Sequence, residues 1–318
     1  MEQKNNGKLS SDLLKKIIFN NIERKRKEVL TTPAIGQDCG IIRSDDLICV
    51  STDPITATTE NIGKLAVIIN LNDIAAAMAQ PFGVTVTILM PSHSSVEELE
   101  KISAQVLDEC LNNNVQVIGG HTEFTDSVNK PIVSITAFGK INMHKYLNRS
   151  NPKLSSYIYV TKNLGLEGSY IIAKEKQEEL KEILTDSEIQ EAHSYIKLLS
   201  VTKDANLVKE KDICLMHDIT EGGLIGALSE LSENLKLSYE LYDKQMPLTQ
   251  VTKKICEHFK INPLKLISSG SMLIISNEKL PCEIDGIKYT LIGQLTQRKS
   301  EKILQNQNIV TDEIYRVL

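Results

Sequence analysis

No apolar run in this 318-residue chain approaches the roughly 20 residues needed to cross a bilayer as a helix, and the opening MEQKNNGKLSSD is too polar for the core of a signal peptide. A membrane partner is therefore not expected. There is no CxxC pair and no Cys/His cluster at zinc spacing, because the six cysteines (39, 49, 110, 214, 256 and 282) are widely scattered. Reduced, mostly buried thiols in a cytoplasmic protein are the expectation. Excess basic charge is absent too: the formal net charge is -5 with both signs spread along the chain, which argues against nucleic acid as the main partner.

What is present is enough apolar material for substantial cores, 41% of residues, in a length that fits about two domains. The pattern divides near residue 150, giving expected domains at 1–150 and 151–318, with MHKYLNRSNPKLSS as the linker. Residues 10–28 carry apolar positions at helical spacing and a basic end, either a peripheral amphipathic helix or a cationic arm near phosphates. A helix is expected from Ile62 to Gln80, stopped by Pro81, followed by the strand FGVTVTILMP, the helix SSVEELEKISAQVLDECLNN and the strands VQVIGG and PIVSITAFGKI. The strands FGVTVTILM and IVSITAFG are apolar at nearly every position, so both faces should be covered, one by helices and the other by a partner or, in a monomer, by the chain's own helices as well. In the second half, helices near 166–208 precede DICLMHD, TEGGLIGALSELSE, KLSYELY, LTQVTKKICEHF, SMLIIS and YTLIGQL. Several neighbouring strands are joined too briefly for parallel crossovers, so the class is α+β with mixed sheets.

The chemistry resides in a series of acids at the ends of strand-like runs: Asp38 in GQDCG, Asp53 in STDP and Asp73 in LNDIAAAMAQ. The glycine-rich IGGHTE (118–123) and HDITEGGL (217–224) follow. Carboxylates so placed suit Mg2+ held against polyphosphate, since that ion takes hard oxygen ligands and keeps part of its water. A Gly-Gly helix opening offers backbone N–H groups to phosphate. The blocks hold no Ser/His/Asp or Cys/His arrangement. Together they point to a nucleotide. Each acid alone could equally be a cap or turn residue, and Glu221 in a first helical turn is explained by the helix dipole.

In their order and spacing, GQDCG, STDP, IGKLAV with LNDIAAAMAQP, IGGHTE and HDITEGGL resemble the aminoimidazole ribonucleotide (AIR) synthase superfamily, in its HypE-like, AIR-synthase-related branch. The resemblance spans nearly the whole chain. It implies a two-domain fold: an N-terminal mixed sheet that pairs with a second copy into a dimer barrel, and a C-terminal α/β sandwich. It implies ATP and Mg2+ as cofactors, with Asp38, Asp53 and Asp73 as metal ligands. Lys64, Asn72, Gly119, Gly120, Thr122, Thr220, Gly222 and Gly223 then contact the nucleotide, and His121, Glu123 and Asp218 are catalytic candidates. The implied reaction is phosphoryl transfer that activates an amide, carbonyl or similar oxygen of an acceptor.

Three departures qualify the transfer. Gln37 stands where the family often has an acid, and Gly120-His121-Thr122 stands where kinase and HypE members carry GDT, so one metal ligand is lost unless Glu123 supplies it. His121 is as well suited to a structural hydrogen bond as to proton transfer. The chain ends DEIYRVL, without the terminal cysteine that accepts the carbamoyl group in HypE. The alternatives are a nucleotide sensor or partner-binding member without turnover, and a hydrogenase maturation factor whose protein partner supplies the acceptor thiol.

Overall fold

The computed structural model describes residues 7–8, 11–22, 26–29, 42–56, 60–147, 150–242, 246–297 and 311–318. It separates into two compact units, Met1–Ala75 with Ala79–Leu147, and Ala76–Met78 with Asn148–Leu318.

The first unit contains β1 (Gly7–Lys8), α1 (Ser11–Ile17), β2 (Leu47–Ile55), α2 (Ile62–Ala76), β3 (Gln80–Pro91), α3 (Val96–Asn112), β4 (Gln116–Thr125), β5 (Ile132–Ile141) and the short α4 (Met143–Leu147). Its sheet runs β1-β4-β3-β5-β2, with β3 and β4 parallel and the other pairings antiparallel. The parallel pair is joined through α3, the crossover such a pair requires. That helix begins where its sequence says it should: Ser95 accepts from the Glu98 N–H and Glu98 accepts from the Ser95 N–H, a reciprocal cap. Helix α2 is apolar around its circumference, with Leu65, Ala66, Val67, Ile68, Leu71 and Ile74 all buried. At Gly63 it comes so close to α3 that a Cβ would lie 2.5 Å from the Ile102 carbonyl.

Two boundaries differ from expectation. Helix α2 ends at Ala76 rather than Gln80: Met78 turns left-handed at φ 58°, the Ala79 N–H reaches back to the Ile74 carbonyl, and Pro81 already lies inside β3. Helix α1 stops at Ile17, well short of residue 28. The GQDCG segment, with Gly36, Gln37 and Asp38, lies outside the described residues.

The second unit holds β6 (Tyr157–Thr161), α5 (Leu166–Glu175), α6 (Gln177–Leu180), α7 (Asp186–Ser194), α8 (Thr202–Val208), β7 (Ile213–Asp218), α9 (Gly223–Leu235), β8 (Ser238–Leu241), α10 (Gln250–Phe259), β9 (Met272–Ser276), β10 (Glu283–Ile284) and β11 (Ile287–Thr296). Its antiparallel sheet runs β10-β11-β6-β9-β7, with β8 also on β11. Ile158, Val160, Leu273, Ile275 and Ile292 pack under Leu224, Leu228 and Leu231 of α9. The molecule is thus mixed α+β with two sheets. Among the described residues no helix is long and apolar enough to cross a membrane.

Candidate functional site

In the first unit Asp53, through its backbone, and Asp73, through its side chain, both join the seam between edge strand β2 and helix α2. Alternation along β2 turns Cys49, Ser51 and Asp53 to one side of the sheet, the side covered by α2. The Ser51 hydroxyl donates to Asp73 Oδ2. Asn70, one helical turn before Asp73, accepts from the Asp53 N–H at 2.8 Å and donates to the Asp53 carbonyl at 3.2 Å. Burial, and the charge of Asp73 nearby, push the Cys49 thiol up. Asn72, next to Asp73 in sequence, is fully buried. The result is a partly open seam of hard oxygen groups: two carboxylates, a hydroxyl and an amide.

Other expected members fall elsewhere. IGGHTE lies wholly within β4, so it is a strand and not a phosphate loop. In register, Asp53 aligns through Ile135 and Val86 with Gly120, whereas His121 aligns with Thr87, Ser134 and Pro54. Gly120 and the buried Thr122 therefore share the Asp53 face, while Gly119, His121 and Glu123 lie on the opposite face. There His121 Nε2 sits 3.3 Å from Glu123 Oε2. The structure does not bring Glu123 to Asp53, so it does not replace a metal ligand beside that residue. At Gly120 a Cβ would fall 2.0 Å from the Val86 carbonyl, which accounts for this glycine by strand packing.

Lys64 is likewise not beside Asp73. Nine residues at 3.6 per turn place the two on opposite sides of α2, and Lys64 instead lies 3.6 Å from Glu109 of α3.

In the second unit, HDITEGGL closes β7 and opens α9. Asp218 is buried at the strand end, opposite Met272 of β9, with His217 Nδ1 3.9 Å away. Neither Asp218 nor Thr220 is the cap residue of α9. The cap residue is Gly222, at φ 81°, without a side-chain cap of its own. Its N–H donates at 2.7 Å to Oδ2 of Asp312, 90 residues along the chain, and the Gly223 N–H donates to the Thr220 carbonyl at 3.1 Å. Both glycine amides expected to face a phosphate are engaged internally. At Gly223, φ 60°, a Cβ would lie 2.7 Å from the carbonyl oxygens of Leu264 and Leu266, so the close approach it permits is to the chain itself.

Asp312 and its neighbour Glu167 are the residues sequence reasoning missed. Glu167, in the first turn of α5, is buried, and desolvation lifts its carboxyl to about 7 despite hydrogen bonding from Ser269; the charges of Asp312 and Asp218 add to the rise. An acid in a first helical turn gives no signal by itself, and only the fold brings the charge of Asp312 to bear on it.

Comparison with known proteins identifies the family. Residues 36–141 match the N-terminal domain, and residues 156–305 the C-terminal domain, of AIR synthase related protein. A putative hydrogenase expression/formation protein of Methanocaldococcus jannaschii is 24% identical over 277 residues, covering 84% of this chain and 79% of that protein. A thiamine-monophosphate kinase of Buchnera aphidicola is 25% identical over 312 residues, covering 91% and 92%. The crystal structure of Escherichia coli HypE superposes with a TM-score of 0.74 at 17% identity, covering 92% of each chain. A HypE structure in complex with ATP superposes at 0.70 and 16% identity, covering 92% of this chain and 88% of that one. Matched by both domain models along most of its length, the chain belongs to the AIR synthase related protein family.

Proposed function

We propose that this protein is a cytoplasmic, Mg-ATP-binding enzyme that transfers a phosphoryl group to an amide, carbonyl or similar oxygen of an acceptor, and that it works as a homodimer through residues 1–150. The observation that carries the reading is the convergence of Asp53 and Asp73 with Ser51 and Asn70. Related kinases and the ATP-bound HypE structure support the choice of nucleotide.

The donor set fits magnesium. Among the described residues no group of three or more His, Cys, Asp or Glu is arranged to hold a metal ion. Mg2+, however, is usually bound by one or two carboxylates together with substrate phosphates and water. Asp53 and Asp73 would hold it, with Asp38 a further candidate. The ion would supply charge neutralisation across the phosphate oxygens. The chain's own residues do the positioning: Asn70 fixes the β2 backbone at Asp53, and Ser51 orients the Asp73 carboxylate. Asn72, Gly120 and Thr122 are kept as nucleotide contacts. His121, Glu123 and Asp218 are kept as proton-transfer candidates.

Thermal unfolding with and without Mg-ATP tests the binding. At about 100 times the dissociation constant, the ligand adds about 2.7 kcal/mol of stability. Asp53→Asn and Asp73→Asn should each remove most of that gain while leaving the unliganded protein folded. Equal melting temperatures in magnesium buffer, with ATP and with ADP would reject the nucleotide site. Turnover is then sought with amide, thioamide and phosphate acceptors. A second reading, a nucleotide sensor without turnover, is favoured by the engagement of the Gly222 amide by the chain's own Asp312. Magnesium-dependent ATP binding with no hydrolysis against any acceptor class would decide for it.

A further inference from the structure

Helix α1 is too short to cover the side of α3 that faces it. It ends at Ile17, where the Asn21 amide donates to the Lys16 and Ile17 carbonyls, each at 2.9 Å. On α3, Ala104, Leu107 and Leu111 follow one another at helical spacing, and Leu111 is left 42% exposed. A cavity of about 340 Å³ remains between these two helices and the start of β4. That size suits a small molecule.

The strand side of the cavity is formed by Val115, Gln116 and Val117, all buried. Gln116 is its polar feature. Its Oε1 accepts from the Arg26 N–H at 2.6 Å, a bond that fixes which end of the amide is the oxygen. The other end, Nε2, is buried and has no hydrogen-bond partner among the described residues. A buried donor without an acceptor carries a penalty that an oxygen brought to it relieves. Charge narrows the choice of oxygen: Glu100 and the exposed Asp108 also line the cavity, and Lys16 is already paired with Glu100 at 3.3 Å. An anion is disfavoured there. Burial, with the charge of Glu109, pushes the Cys110 thiol up, so this lining residue stays neutral.

The cavity is separate from the acid seam. In the order β1-β4-β3-β5-β2, strand β4 stands three strands from β2, about 14 Å across the sheet. Gln116 also precedes by four residues Gly120, which aligns with Asp53 through Val86 and Ile135.

We propose that this cavity is a second ligand site, for a small neutral molecule with an apolar body and one hydrogen-bond-accepting oxygen, a ketone or ester in class, which takes the Gln116 Nε2–H. The apolar body lies against Leu107, Leu111, Val115 and Val117, and the amide selects oxygen over plain hydrocarbon. No residue of the acid seam takes part, so the site fills independently of Mg-ATP.

Methyl NMR of the full-length chain tests this, with acetophenone as the probe. The expected result is saturable shifts centred on Ile17, Leu107, Leu111, Val115 and Val117. Gln116→Leu should weaken acetophenone about tenfold, the loss of about one hydrogen bond. Cumene, similar in shape but without the oxygen, should bind the parent and that variant alike. Ala104→Trp, on an exposed position of α3, should fill the cavity and abolish the shifts, so the idea remains testable even if Gln116→Leu folds poorly. Stabilisation by Mg-ATP should be the same in Ala104→Trp as in the parent. Absence of saturable shifts in the parent, or undiminished binding in Ala104→Trp, overturns the site. Equal acetophenone affinity in the parent and a folded Gln116→Leu overturns the oxygen preference, and loss of the Mg-ATP effect in Ala104→Trp overturns the separation of the two sites.

Discussion

A buried acid has opposite consequences in the two units, and the difference lies in its neighbours. Glu28 is 4% exposed, yet it accepts from Lys140 at 2.8 Å and lies 3.3 Å from Arg26. Burial alone would raise its carboxyl; the hydrogen bond from Lys140, with the backbone and Arg26, overrides that and holds it down to about 2. Glu167 has no such cation and moves the other way. Because the folded value of Glu28 lies below the ordinary 4.5, its contribution is complete above pH 4.5 and lost as pH falls towards 2. It amounts to about 3 kcal/mol by that linkage. Replacing Lys140 by Met should cost about 3 kcal/mol at pH 7, because one partner of a buried pair is removed. Urea unfolding at pH 7 and pH 3 measures both effects: the variant's deficit should be large at pH 7 and smaller at pH 3. A deficit independent of pH would assign Lys140 a packing role only.

The glycines separate at the scale of strands and helices according to what each element demands. Gly223 needs its left-handed backbone and the space beside the Leu264 and Leu266 carbonyls, so Gly223→Ala should destabilise the second unit by about 2 kcal/mol or more. Gly119 has nothing within 4 Å of an added Cβ and an ordinary strand backbone. Gly119→Ala should leave stability unchanged or raise it by about 0.5 kcal/mol. Denaturant midpoints measure both, and Mg-ATP affinity of Gly119→Ala tests whether the nucleotide approaches that face. How far the elements were readable follows the same division. The helix α3, the strand runs and the α+β class were legible because local chemistry sets them. The nine-residue spacing of Lys64 from Asp73 already placed the two on opposite sides of α2, and strand alternation separated His121 and Glu123 from Asp53 once register was known. The Asp312 contact with Gly222 was not legible, since a pairing across 90 residues leaves no local trace.

Across the first unit, one face of the sheet is the less covered among the described residues. Strands β3 and β5, expected to have one face under helices and the other left for a partner, alternate buried and half-buried positions, and the less covered side carries Val50, Thr52, Thr85, Thr87, Thr136 and Phe138. Val50 is 55% exposed on the edge strand, next to Phe138 in register. Apart from the His121–Glu123 pair on the same face, this largely β-branched surface loses little on desolvation and gains from apolar burial, which suits it to a symmetric contact with the same face of a second copy. A dimer is therefore the expected state, with light scattering giving about twice the chain mass of 35.5 kDa at micromolar concentration. Val50→Lys should shift that mass to the monomer value while changing unfolding of the isolated chain by no more than about 0.5 kcal/mol, since the side chain is exposed before association. The partner's contribution can also be read through linkage: if the two copies stabilise each other, the melting temperature of the parent should rise with protein concentration and that of Val50→Lys should not. A parent that scatters as a monomer, with a melting temperature independent of concentration, would leave the open face to solvent and remove the dimer from the functional proposal.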